Sequence, residues 1–111
     1  MQHNVVDVGV AAVVRRNNRI LIIREASGPH AGKWGLPKGT LLPSELPEAG
    51  VLRELNEETG LSGKIVGFVG IRTRLISDLL SIFIVYEVDV AYNQNVRHND
   101  GEVDDHHWLR K

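Results

Sequence analysis

The chain has 111 residues, 24% of them charged, and a net charge of −1, so it can build one core but offers no basic field to a nucleic-acid backbone. Cysteine is absent, which excludes disulfides, thiolate metal sites and a cysteine nucleophile and fits a reducing cytoplasm. No basic segment leads into a long apolar run, and Ile82 to Tyr86 is far too short to cross a bilayer, so neither a membrane nor a nucleic acid is an expected partner.

Val5 to Val14 and Ile20 to Ile23 are rich in strand-forming residues, and Asn17-Asn18 between them tolerates positive φ, which predicts a hairpin. Gly28 to Lys33 reads as a loop, and Trp34 to Gly39 (WGLPKG) as irregular backbone. A helix is expected from Pro47, which suits a first helical position, to just before Gly60, a left-handed C-cap. Ile65 to Ile71 and Ser81 to Val90 are predicted strands, with a second helix as an alternative for Thr73 to Leu80. Asn93 to Asp105 is a polar loop, and His106 to Arg110 a last short strand. Residues 1–111 are expected to form a single α+β or α/β domain.

The helix carries an unusual charge. On a 100° repeat Glu54, Glu57 and Glu58 share one face, while Leu52 and Leu55 point toward a core. Arg53, the only cation between residues 39 and 61, lies four residues before Glu57 and is placed to orient it. Gly50 falls one turn before Glu54, and its missing side chain leaves room there for a bound group. Three carboxylates on one face repel unless a cation intervenes. An all-oxygen set suits a hard ion, Mg²⁺ or Mn²⁺, rather than Zn²⁺.

From Gly39 to Leu61 the residues run Gly39, five residues, Glu45, seven residues, then Arg53-Glu54-Leu55-Asn56-Glu57-Glu58-Thr59-Gly60-Leu61. This resembles the complete Nudix box, G-x5-E-x7-R-E-U-x-E-E-x-G-U, where U is apolar. WGLPKG before it, and Glu102 followed by Trp108 after it, resemble the family's flanking segments. The resemblance implies an α/β/α sandwich with a mixed sheet, the box forming loop-helix-loop. It implies Mg²⁺-dependent hydrolysis (Mn²⁺ substituting) of a pyrophosphate bond in a nucleoside diphosphate linked to another moiety. Matched position by position, Glu57, Glu58, Glu54 and the Gly39 carbonyl become metal ligands. Glu54 is alternatively the general base, Glu102 is an additional ligand or the base, Arg53 orients Glu57, and Glu45 supports the site from the loop. Lys33 and Lys38 flank the box and are candidates for phosphate contacts.

Three departures stand out. Ser44 replaces the glycine common before the first box Glu, Leu46 makes a poor N-cap, and Gly50 replaces a common Ala. The chain also stops soon after Trp108, where relatives often continue into a helix. Truncation, a minimal member, or a second subunit of a homodimer are the alternatives. The proline and tyrosine markers associated with ADP-ribose and diadenosine polyphosphate cleavage are missing from the region around Leu75 to Asp78. The reading leans to nucleoside triphosphates or damaged nucleotides. A nucleotide-sugar or ADP-ribose pyrophosphatase, and a non-catalytic nucleotide sensor, are the alternatives.

Other residues read more plainly. Trp108 is expected in the core, and adjacent His106 and His107 face opposite sides of a strand, which disfavours a joint metal site. Arg15, Arg16 and Arg19 read as a solvated hairpin tip rather than a phosphate site.

Overall fold

The computed structural model describes residues 6–98 and 101–110. Val5 at the start of the first predicted strand, and Asn99 and Asp100 in the predicted polar loop, lie outside them. The elements are β1 (Val6–Arg16), β2 (Arg19–Glu25), β3 (Trp34–Gly35), β4 (Lys38–Thr40), α1 (Pro47–Thr59), β5 (Gly63–Ile76), β6 (Leu79–Val90) and β7 (Val103–Arg110). All strands belong to one mixed sheet ordered β3-β2-β1-β6-β5, with β4 added to β1 and β7 to β2.

The β1–β2 hairpin turns at Asn17 and Asn18, both at positive φ (51° and 61°), as that dipeptide allows. Beyond the turn the two strands diverge. β1 then pairs with β4 on that side, Val10 opposite Gly39, and runs parallel to β6 on the other, Val6 opposite Leu80 through Arg15 opposite Asp89. Beyond β6 lies β5, antiparallel to it, with register shifts at Ile65/Gly67 and Phe68/Gly70.

Thr73 to Leu80 is not a helix. β5 continues to Ile76, turns at Ser77 (φ 53°) and returns as β6, so the β-branched and aliphatic content of this stretch decides for a long hairpin. The last strand also begins earlier than His106, at Val103.

α1 starts at Pro47 after Leu46, which makes no side-chain cap, and ends where Gly60 (φ 74°) donates its N–H to the Asn56 carbonyl. Its Val51 and Leu55 pack with Val10, Ala12 and Val14 of β1, Leu21 and Ile23 of β2, and Val88 and Val90 of β6. These sheet residues alternate along their strands, so one sheet face makes the core and α1 covers it. Trp108 packs against this cluster as expected. The α/β class is as predicted. Among the described residues there is one helical layer, and the second layer of the implied sandwich is not among them.

Candidate active site

The box hangs on the contact between α1, β4 and the 41–46 loop. Leu41 donates its backbone N–H to the Val8 carbonyl, fixing the loop to β1. Glu45 lies at its end and accepts the Leu42 backbone N–H at 3.0 Å. The residue before it, Ser44, has φ 63°, a left-handed conformation that favours glycine. That is the physical reason a glycine suits this position, and Ser44 is strained there.

Arg53 is the centre of the arrangement. Its Nε and Nη2 donate to the two Glu45 oxygens at 2.7 and 2.9 Å, a bidentate pair. Nη1 reaches Glu54 at 3.0 Å and both Glu57 oxygens at 3.1 Å, and Nη2 also reaches the Thr40 carbonyl at 3.2 Å. The expected Arg53–Glu57 pair is present, but the shortest contacts are to Glu45. Eight residues separate Arg53 from Glu45, so helical spacing could not reveal that bond.

Proximity to Arg53 and the Leu42 N–H holds the Glu45 carboxyl at about 2, and its carboxylates in turn hold the guanidinium firmly protonated. Glu54 goes the other way. Burial pushes its carboxyl up, Arg53 pulls it down, and the charges of Glu57 and Glu102 add to the rise. Glu102, just before β7, is therefore an electrostatic neighbour of Glu54, and its backbone carbonyl accepts the Ala26 N–H at 2.8 Å.

Glu58 is buried at 5% exposure and accepts the Lys38 backbone N–H at 3.0 Å, which joins the helix to β4. Gly39, the next residue of β4, lies so close to the Glu54 carboxylate that a Cβ there would collide with it. Gly50 corrects the expectation made for it. The space it leaves is filled by Leu41 and by the Glu45 carboxylate, not kept open for a bound group.

The structure thus gathers Gly39, Glu45, Arg53, Glu54, Glu57 and Glu58, with Glu102 nearby. Lys38 and Lys33 line two neighbouring cavities that share Gly35, Leu36, Lys38 and Arg74. The first, about 350 Å³, is walled by Arg72, Arg74 and Phe83 from the β5–β6 hairpin, and the Lys38 ammonium stands 5.7 Å from the Phe83 ring centroid. The Nε of Arg74 is buried with no hydrogen-bond partner among the described residues. Arg74 and Phe83 belong to this region only through the cross-strand register, which no spacing in the sequence displays.

Oxygen atoms alone make up the candidate donor set, and Glu54 sits among like charges in a partly dry place. Such a site favours an added hard cation. As they stand, no three acidic or His groups among the described residues close around one point. Glu45, Glu54 and Glu57 all turn toward Arg53 instead, and Glu57, half exposed, has solvent to swing through. The donor chemistry fits a divalent cation.

A mixed sheet carries a helix whose acids are oriented by one arginine, beside a cavity lined by Lys38, Arg72 and Arg74. The NUDIX domain model matches residues 4–111, and the chain belongs to the Nudix family, whose members generally use divalent cations. It is 36% identical over 64 residues to an ADP-ribose pyrophosphatase of Methanocaldococcus jannaschii (58% of this chain, 38% of that protein). It is 44% identical over 69 residues to a MutT-like protein of Streptomyces ambofaciens (62% of this chain, 42% of that protein). The matched region is thus well under half of either relative. The crystal structure of the MutT protein from Methanosarcina mazei Go1 superposes with a TM-score of 0.86 at 27% identity, covering 98% of this chain and 80% of that one. No helix among the described residues is long and apolar enough to cross a membrane.

Proposed function

We propose that the chain hydrolyses a pyrophosphate bond in a nucleoside diphosphate linked to another moiety, with Mg²⁺ or Mn²⁺ held by Glu54, Glu57, Glu58 and the Gly39 carbonyl. The carrying observation is the convergence of Glu45, Glu54 and Glu57 on Arg53 beside the buried Glu58. When bound, the cation neutralises phosphate oxygens and acidifies water. Arg53 and Glu45 act as a brace, each fixing the other so that Glu54 and Glu57 have defined positions. Glu54, its carboxyl raised by burial, is the better-placed proton acceptor, with Glu102 the alternative. Lys38, Lys33 and Arg74 receive the phosphates, and Phe83 offers a face to the base. A cysteine-free chain suits the cytoplasm, and a homodimer would supply cover for the other sheet face.

Nucleoside triphosphates or damaged nucleotides are the favoured substrates, supported by likeness to proteins named CTP pyrophosphohydrolase and 8-oxo-dGTP diphosphatase. The likeness to a protein named ADP-ribose pyrophosphatase supports a second reading, cleavage of ADP-ribose or a nucleotide sugar. A non-catalytic sensor is disfavoured because every box carboxylate is present. Incubating the protein with Mg²⁺ and a panel of nucleoside triphosphates, oxidised nucleotides, ADP-ribose and nucleotide sugars tests this. Release of pyrophosphate or of a nucleoside monophosphate from one of them is expected. Absence of turnover across the panel, with Mg²⁺ and with Mn²⁺, overturns the proposal.

A further inference from the structure

At the tip of the β1–β2 hairpin three arginines share one cross-strand row. Arg16 of β1 stands opposite Arg19 of β2, and Arg19 stands opposite Arg110 of β7. Like charges directly opposite one another on neighbouring strands are destabilising. Arg15 is paired with Glu87, Arg24 with Asp104 and Arg53 with the box acids, but Arg16, Arg19 and Arg110 have no carboxylate partner among the described residues. Their alternation continues that of Val14, Leu21 and Trp108, so all three stand on the core-facing side of the sheet, at the end of the core.

The row lines a cavity of about 620 Å³ with Asn17, Asn18 and Trp108, and no acidic residue among the described ones contributes to its wall. Arg16 is held in place: its guanidinium lies 4.1 Å from the Trp108 ring centroid, and Nη1 donates to the Gln94 carbonyl at 2.6 Å. A solvated hairpin tip explains a single arginine. It does not explain a braced arginine beside two others in register around a concave wall, in a chain whose net charge is −1.

We propose that Arg16, Arg19 and Arg110 form a second anion site, which takes a phosphate-rich ligand remote from the box. Arg16 stands five residues beyond Ala11, the last β1 residue paired with β4, or about 17 Å along the strand. A ligand held there does not occupy the cavity at Lys38. Guanidinium groups match phosphate oxygens in fork geometry, and three of them favour a multiply charged oligophosphate over a simple monoanion.

The test uses the full chain in EDTA, which leaves the box acids without a cation, and inorganic tripolyphosphate as probe in calorimetry. Wild type binds. The Arg19→Gln/Arg110→Gln double variant binds about tenfold more weakly or worse, because two charge-assisted contacts are lost. Lys38→Gln/Arg74→Gln, which alters the cavity beside the box, keeps the binding component that the Arg19/Arg110 variant loses, whatever that cavity contributes of its own. Tripolyphosphate raises the melting temperature of wild type and not of the Arg19/Arg110 variant. Without any polyanion that variant melts no lower than wild type, since it has lost a repulsion. ATP run in parallel separates the sources: equal affinity assigns recognition to the phosphates alone, and tighter binding assigns it to a nucleotide using Trp108. No wild-type binding at millimolar tripolyphosphate, an unchanged affinity in the Arg19/Arg110 variant, or loss of binding in the Lys38/Arg74 variant overturns the proposal.

Discussion

Replacing Arg53 by alanine removes the one cation on which Glu45, Glu54 and Glu57 converge. The side chains of Arg53, Glu45 and Glu54 are 24%, 12% and 13% exposed, so the network is neither a surface pair nor fully buried. An exposed pair contributes about 0.2–1 kcal/mol, and breaking a fully buried one costs about 3–5 kcal/mol. With a quarter of the arginine in water and Glu57 half exposed, the expected loss lies between these, about 2–3 kcal/mol. Glu45 keeps the Leu42 N–H but loses its countercharge. Urea unfolding at neutral pH and low salt in EDTA measures it, as a fall in midpoint with an unchanged denaturant slope. Arg53→Lys should recover only part of the loss, because an ammonium cannot make the bidentate contact with Glu45. In added Mg²⁺ the alanine variant is expected to bind the metal more weakly than wild type, its Glu57 no longer oriented. A stability loss below about 0.5 kcal/mol would show that the acids simply relax into water, and that Arg53 is surface decoration rather than the brace of the site.

Gly39→Ala places a methyl group against the Glu54 carboxylate, so turnover should collapse while the circular dichroism spectrum stays native; an active variant would refute the packing described. Ser44→Gly relieves a left-handed serine and should stabilise the fold by up to about 1 kcal/mol, the relief of strain partly offset by added unfolded-state freedom; a lower urea midpoint would contradict it. Because the Glu45 carboxyl is held down at about 2, its contribution is fully present above the ordinary carboxylate range near 4.5 and is lost as pH falls from there toward 2. Glu45→Gln should therefore flatten the acid limb of a melting-temperature profile in that window, and an unaltered limb would dissociate Glu45 from acid stability. Glu58→Gln should lose both metal affinity and turnover, whereas Glu102→Gln should lose turnover by a smaller factor and keep most metal affinity; wild-type turnover in Glu102→Gln would shift attention to Asp104 or Asp105.

Local signals in the sequence carried α1 and the box almost completely. Pro47 and Gly60 mark the helix ends through backbone conformation, and the 3.6-residue repeat puts Glu54, Glu57 and Glu58 on one side of the helix whatever the rest of the chain does. Legibility failed where partners come from distant strands. Arg53 could be matched to Glu57 by spacing, but its shorter bonds to Glu45 depend on how the 41–46 loop folds back over Gly50. Phe83 and Arg74 were visible only as residue types, since the β5–β6 register brings them to Lys38. Thr73 to Leu80 was ambiguous because short apolar runs carry no decisive period, and pairing along β6 resolves it. The hairpin-tip arginines looked like solubilising charge until β7 set Arg110 beside Arg19.

The parallel pairing of β1 with β6 also bears on how the molecule comes to exist. Val6 lies beside Leu80, so the first strand waits for a partner made only after most of the chain has left the ribosome. A nascent chain that ends at Leu61 holds every box residue yet lacks β6, whose Tyr86, Val88 and Val90 belong to the core that the helix joins. Closing a loop of that length costs entropy before any contact repays it, and folding dominated by such pairings is slower than that of a helical bundle of equal size. The box acids are therefore synthesised early and brought to rest late, and their alignment depends on a strand that contributes none of them.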